Sequence, residues 1–351
     1  MLLENIPQAL AQELNIRPEQ AKAAIKLLDE GNTVPFIARY RKEATGELED
    51  EQLRKLEERL AYLRNFVKRQ EEILNKIAEQ GKLTEELQQA IEKTTKLQEL
   101  EDIYLPFKQK KRTRAQKARE KGLEPLSTTI LWQKDTKGSV EKEASKYINP
   151  ELEVNTWQEA MEGARDIIAE IISENAQLRQ KLREYIHQHG QIATLLAEDT
   201  SETEEGQRFL MYKEYQEPVK TMPSHRILAI NRGEKLGCLK VTLQLEEDKI
   251  LHLIQKEYLQ GPSIYQQDMK LAIEDSWKRL LSPSLERELR SQLTEMAETQ
   301  AISIFGTNLK QLLLQAPLAG YTVMGLDPGY RTGCKMAVVS PTGQVLHHGV
   351  L

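Results

Sequence analysis

Three stretches of this chain hold residue types that could do chemistry. The first is Met324-Gly-Leu-Asp-Pro-Gly-Tyr-Arg-Thr-Gly333, where short apolar runs (Val323 to Leu326, Met336 to Val339, Val345 to Leu346) are broken by Asp327-Pro328-Gly329 and Pro341-Thr342-Gly343. Proline presets φ and glycine accepts positive φ, so the pattern predicts strand, turn, strand, turn, strand, with Asp327 where the first strand stops. A carboxylate there has three readings: the first metal-binding acid of a ribonuclease H-like nuclease, the phosphate turn of an actin-like ATPase, or a structural Asp at a hairpin. Residues 328–351 contain no Asp or Glu, so the further acids of a two-metal site are missing from them. Asp327 is therefore expected to hold a metal ion weakly at most, as a vestige, or to cap its own turn. No catalytic residue and no cofactor is expected.

The second stretch is residues 106–121, Pro-Phe-Lys-Gln-Lys-Lys-Arg-Thr-Arg-Ala-Gln-Lys-Ala-Arg-Glu-Lys, with eight Lys or Arg against one Glu in a chain of net charge -5. A cation cluster interleaved with small polar residues suits phosphate neutralisation. Lys108, Lys110, Lys111, Arg112, Arg114, Lys117 and Arg119 are the candidate nucleic-acid contacts; the bland alternative is a solvated charge run. The third stretch is Thr33 to Gly46, which places Arg39, Arg41 and Lys42 on a short helix whose apolar members are Phe36, Ile37 and Tyr40. These cations face nucleic acid or simply solvent. His187 and His189 lie two apart, on different helix faces, and make no metal pair.

The elements that must position these residues are helical. Aromatics are 5% and charged residues 29% of 351 residues, with Glu, Lys and Arg at helix-compatible spacings, and the overall acidity confines any nucleic-acid site to a local patch. Pro18 opens a helix that Gly31 closes, and Pro35 opens the next, giving a helix-turn-helix-like pair. From Asp50 to Gln80, Leu53, Leu56, Leu60, Leu63 and Val67 repeat at threes and fours, Gln70 interrupts, and Leu74 and Ile77 resume. Thr84 caps a return helix with Leu87, Ile91 and Thr94 inward, so a helical hairpin is expected. A single helical stretch is read from Thr156 to about His189, with Ile171 on its inner face. Ser224 to Gly233 reads as a short helix with Gly233 just past its end, Cys238 to Leu245 as a strand, and Ser284 to Gln315 as a long helix with Leu285, Leu289, Leu293, Met296 and Ile304 inward.

The fold class is thus mainly α: a multi-helical N-terminal region (1–105), a central helical region with the basic segment and a small β element (106–320), and the first strands of an α/β domain (321–351). A packed α/β domain needs on the order of 100 residues, so the chain is expected to stop inside that last domain. Cys238 and Cys334 are far apart and in unlike segments, which argues for a reducing compartment. With no apolar run near membrane-spanning length and no signal-peptide pattern, a cytoplasmic protein without membrane contact is expected.

Four collinear blocks resemble the signatures of the bacterial Tex family of transcription accessory proteins. They are Val34-Pro-Phe-Ile-Ala-Arg-Tyr-Arg-Lys-Glu43, Tyr104-Leu-Pro-Phe107 with its basic run and Ala118-Arg-Glu-Lys-Gly-Leu-Glu-Pro-Leu126, Ser224-His-Arg with Arg232-Gly-Glu234, and Gly325-Leu-Asp-Pro-Gly-Tyr-Arg-Thr-Gly-Cys334. The resemblance implies helix-turn-helix elements leading into a YqgF-type, ribonuclease H-like domain that is generally non-catalytic. It also implies helix-hairpin-helix repeats and an OB-fold RNA-binding domain that these residues do not include. Family members are similar in layout to a eukaryotic elongation factor that works on RNA polymerase and nucleosomes. The expected function is a nucleic-acid-binding scaffold that acts with RNA or DNA and with RNA polymerase or the transcribing complex. The alternatives are a metal-dependent nuclease using Asp327 and a purely structural helical adaptor.

Overall fold

The structure is a computed structural model that describes residues 6–109, 112–200, 202–316, 318–329 and 333–351. In chain order the elements are α1 (Ile6–Glu13), α2 (Pro18–Asp29), α3 (Val34–Tyr40), α4 (Asp50–Glu79), α5 (Glu85–Lys93), α6 (Leu97–Tyr104), α7 (Arg114–Glu120), α8 (Glu124–Trp132), α9 (Val140–Ser145), α10 (Trp157–Ser173) and α11 (Ala176–His189). Then come β1 (Gln191–Leu196), α12 (Glu204–Gln207), β2 (Glu214–Pro218), α13 (Ser224–Lys235), β3 (Leu239–Gln244), α14 (Glu247–Tyr258), α15 (Gln266–Asp275), a π-helical turn at 276–281, α16 (Ser282–Leu313), β4 (Val323–Asp327), β5 (Lys335–Val339) and β6 (Val345–Val350). The strands form two small sheets, in the orders β2-β1-β3 and β4-β5-β6. Backbone contacts divide the chain into a first unit of Met1–Ala193, Gln216–Lys220 and Thr242–Leu289 and a second of Thr194–Tyr215, Thr221–Val241 and Arg290–Leu351.

The first unit is helical, and α4 runs through its N-terminal core. Leu53, Leu56, Leu60, Leu63 and Val67 are buried at the expected spacing, together with Phe66, which the three-four count passes over. Past Gln70 the buried residues are Ile73 and Ile77, while the expected Leu74 is only partly buried. Gln70 does not break the seam: it is buried and its Nε2 donates to the Ile91 carbonyl oxygen on α5 at 2.7 Å. Thr84 caps α5 by accepting from the Leu87 N–H at 3.2 Å, so the hairpin forms as read. At the helix-turn-helix pair, Gly31 takes φ +84 between α2 and α3, a conformation that costs glycine nothing.

The stretch read as one helix from Thr156 is two. The Asn175 side chain accepts from the Leu178 N–H at 3.0 Å and starts α11 afresh. The bend leaves Ile171 exposed and buries Ile168 and Ile172. Beyond it, Arg179 and Arg183 of α11 meet Asp102 of α6 and Glu288 of α16 in a cluster of four charges, with Arg179 and Asp102 almost fully buried.

In the second unit Phe209, Ile227, Ile230, Leu239, Leu293 and Ala297 are buried. Gly233 does not end α13; it lies inside it, where a Cβ would stand 2.6 Å from Leu239 Cδ1 and 3.0 Å from Phe209 Cδ1. A methylene here would displace the strand residue that covers the helix. The inward face expected of α16 holds at Leu285, Leu289 and Leu293 but not at Met296 and Ile304, which are exposed, as are Ile302, Phe305, Leu309, Leu312 and Leu313. The terminal hairpins form as expected: Val323 to Asp327 pair antiparallel with Val339 to Lys335, and β5 pairs with β6. Both faces of this small sheet are largely exposed.

Candidate nucleic-acid interface

Helix α3 is shorter than the sequence reading: it ends at Tyr40, so that Arg41 is its C-cap and Lys42 lies beyond it, before a separate turn at Glu43–Thr45. Thr33 is extended at the N-cap, Pro35 fits the first turn, and the chain leaves the helix at Arg41, whose φ is -132. Val34 and Ile37 are buried and dock the helix on the first unit's core. Phe36 and Tyr40 do not share that inner face: they are 38% and 61% exposed. Residues four apart lie on one helix face, and their ring centroids are 5.3 Å apart. The Arg41 guanidinium carbon lies 5.7 Å from the Phe36 ring centre and that of Arg39 6.0 Å from the Tyr40 ring centre. Lys42 is spoken for by Glu49 at 2.8 Å, an exposed pair.

The basic segment is divided by its partners. Lys110 and Lys111 lie outside the described residues. Arg112 pairs with Glu120 at 3.3 Å on the surface. Thr113 caps α7 by accepting from the Gln116 N–H at 3.0 Å and donates to Glu170 Oε2 at 3.1 Å. Arg119 donates to the other oxygen of Glu170 at 2.7 Å. Glu170 is a buried carboxylate on α10, so Arg119 anchors the segment and is the least available of the candidates. Lys121 is likewise drawn to Glu153. Lys108, Arg114 and Lys117 are exposed, and among the described residues none of the three is in an ion pair.

Arg114, Lys117 and Lys121 line a groove of about 500 Å³ together with Glu153, Glu159, Glu162 and Asp166. Burial pushes the Asp166 carboxyl up, and Arg279 pulls it partly back. Lys108 instead shares a groove of about 560 Å³ with Lys76 of α4, where Gln80 Nε2 holds the Phe107 carbonyl oxygen at 2.8 Å. Lys76 was not among the sequence candidates; a cation in the last turn of a long helix reads as a dipole partner, and only the fold brings it beside Lys108.

Asp327 ends β4 opposite Lys335, in exposed backbone. Among the described residues no three His, Cys, Asp or Glu gather as a metal site. Tyr330, Arg331 and Thr332 of the same sequence block lie outside the described residues. The two cysteines are free, and among the described residues no helix is long and apolar enough to cross a membrane.

Three family descriptions match the chain in order: a Tex-like protein N-terminal domain over residues 4–78, a Tex central region over 135–305 and a Tex protein YqgF-like domain over 321–351. The chain belongs to the Tex family. The matches place α3 in the Tex N-terminal domain and β4 to β6 in the YqgF-like domain, as the sequence blocks implied. Full-length alignment agrees. The chain is 44% identical over 349 residues to the protein YdcI of Bacillus subtilis, covering 99% of this chain and 48% of that one. It is 44% identical over 348 residues to the transcriptional accessory protein Tex of Neisseria gonorrhoeae, covering 97% and 45%. It is 35% identical over 357 residues to the human S1 RNA-binding domain-containing protein 1, covering 98% and 35%. The chain thus spans about half the length, or less, of these relatives. The basic segment falls between the first two family matches.

Proposed function

We propose that this Tex-family chain is a non-catalytic scaffold of the transcription machinery that binds nucleic acid by charge, in the cytoplasm, and acts alongside RNA polymerase. The observation that carries the reading is a set of exposed cations that, among the described residues, are in no ion pair in an acidic chain: Lys108, Arg114 and Lys117 in the basic segment, Arg39 and Arg41 at α3. Lys110 and Lys111 belong with them by sequence. The names of the gonococcal and human relatives, one a transcriptional accessory protein and the other carrying an RNA-binding domain, favour the same reading.

Phosphate contacts release counterions, and only cations free to make such contacts count toward the salt dependence. Anisotropy titrations of labelled RNA and DNA over a salt series test this. Replacing Lys108, Arg114 and Lys117 together by Ala should flatten the slope of log K against log salt by about 2 to 3. Arg119→Ala should leave the slope unchanged and lower stability instead, by about 1–3 kcal/mol for a charged hydrogen bond lost at a buried carboxylate. A triple variant that titrates like the parent at every salt concentration would overturn the assignment.

A further inference from the structure

We infer that the outer face of α3, where Phe36 and Tyr40 stand side by side beneath Arg39 and Arg41, is a stacking platform for unpaired nucleobases. The inference rests on the proposed nucleic-acid reading and names the form of nucleic acid this face takes: a single strand.

The rings are free for the task. Val34 and Ile37, at 3% and 0% exposure, hold α3 to the core, so Phe36 and Tyr40 contribute little to docking the helix. Their centroids are 5.3 Å apart with the planes tilted by 48°, which leaves ring surface open to a flat partner. Each guanidinium sits near the outer limit of about 6 Å for a cation–π contact, close enough to border the rings and weakly enough held to turn toward a phosphate. The Arg41 guanidinium also donates to the carbonyl oxygen of Tyr40, at 3.5 Å. Among the described residues neither arginine pairs with a carboxylate. Of the acids that follow α3, Glu49 is engaged by Lys42, and Glu43 and Glu47 are exposed.

Charge and shape together select the occupant. Two uncompensated cations beside the rings favour a polyanion over an apolar or basic peptide. In a duplex the base faces are hidden in the stack and only edges and phosphates are reachable, whereas an unpaired strand offers its base faces to aromatic side chains. Exposed aromatic rings interleaved with Arg can therefore take bases only where the strand is unpaired.

The test compares the full chain with the Phe36→Ala, Tyr40→Ala double variant on three probes: an unstructured single strand, the same strand annealed to its complement, and an abasic strand of equal length. The double variant should lose roughly tenfold or more in single-strand affinity, with duplex affinity and salt slope unchanged. On the parent chain, the abasic strand should bind roughly tenfold or more weakly than the ordinary strand. That comparison needs no mutation, so it stands even if the variant folds poorly. Equal losses on strand and duplex, no loss at all, or abasic binding equal to ordinary binding would overturn the platform; unchanged single-strand binding would leave the face to a protein partner. A parent chain that binds neither strand nor duplex at low salt would instead bring down the nucleic-acid reading itself, and the platform with it.

Discussion

Asp102 on α6 and Arg179 on α11 meet at 3.1 Å through Oδ1 and Nε, with side chains 5% and 4% exposed. Arg183 takes the other Asp102 oxygen, and both arginines reach Glu288, so each charge has at least two opposite partners. Pairs out of water are costly to break because the survivor stays buried and charged. Asp102→Ala should lower stability by about 3–5 kcal/mol, read as a drop in urea midpoint. Arg54→Ala, which breaks the exposed pair with Asp50, should leave the midpoint where it was; equal effects would mean the cluster is not the anchor described.

Two glycines inside helices should answer the same substitution with opposite signs. Gly306 in α16 has nothing within 4 Å of an added Cβ, so Gly306→Ala should stabilise by about 0.5–1 kcal/mol through helix propensity. Gly233 in α13 faces Leu239 and Phe209 at 2.6 and 3.0 Å, and Gly233→Ala should cost about 1–3 kcal/mol by overpacking. Thermal melts of the two variants check both signs.

Asp166 and Asp29 should tilt the pH–stability profile in opposite directions. Burial raises the Asp166 pKa against the pull of Arg279. Between its unfolded and folded values the folded chain keeps a proton the unfolded chain has released, so stability falls as pH rises through that window. Hydrogen bonds from Arg64 are the largest influence on Asp29 and lower its pKa. Its contribution is full above the unfolded value and is lost as pH falls through the folded one. Carboxyl titrations by NMR should show Arg279→Gln moving Asp166 higher still and Arg64→Gln returning Asp29 to the ordinary carboxylate range.

Incubated with magnesium or manganese, the chain should leave single-stranded, duplex and branched substrates intact. Asp327 lies exposed at the end of β4, and a two-metal centre needs several acids around its cations. Metal-dependent cleavage by the parent chain that disappears in Asp327→Asn would restore the nuclease.

What was legible in the sequence was whatever repeats locally. The first four leucines of α4, the Thr84 cap and the three terminal strands are written within a few residues, and each is found where the sequence puts it. Direction was harder. Phe36 and Tyr40 offer large apolar surface beside Ile37, and periodicity alone does not say that Val34 and Ile37 suffice to seat a seven-residue helix. Met296 and Ile304 continue the spacing of Leu289 and Leu293, yet the buried neighbour is Ala297. Unbroken apolar spacing likewise hid the fresh start at Asn175. Partnership was not legible at all: Arg119 meets Glu170 across 51 positions and Arg179 meets Asp102 across 77. Nothing in a run of eight cations tells which of them folding has already neutralised.

The small sheet ordered β4-β5-β6 has two outer strands, and each presents one side of its backbone with donors and acceptors that no third neighbour in the sheet takes up. Such a margin is a template: any extended segment of suitable register can continue the ladder, and with both broad faces also exposed the joined strand would bring apolar cover as well as hydrogen bonds. An added strand would extend this sheet through backbone groups alone, whatever side chains it carried.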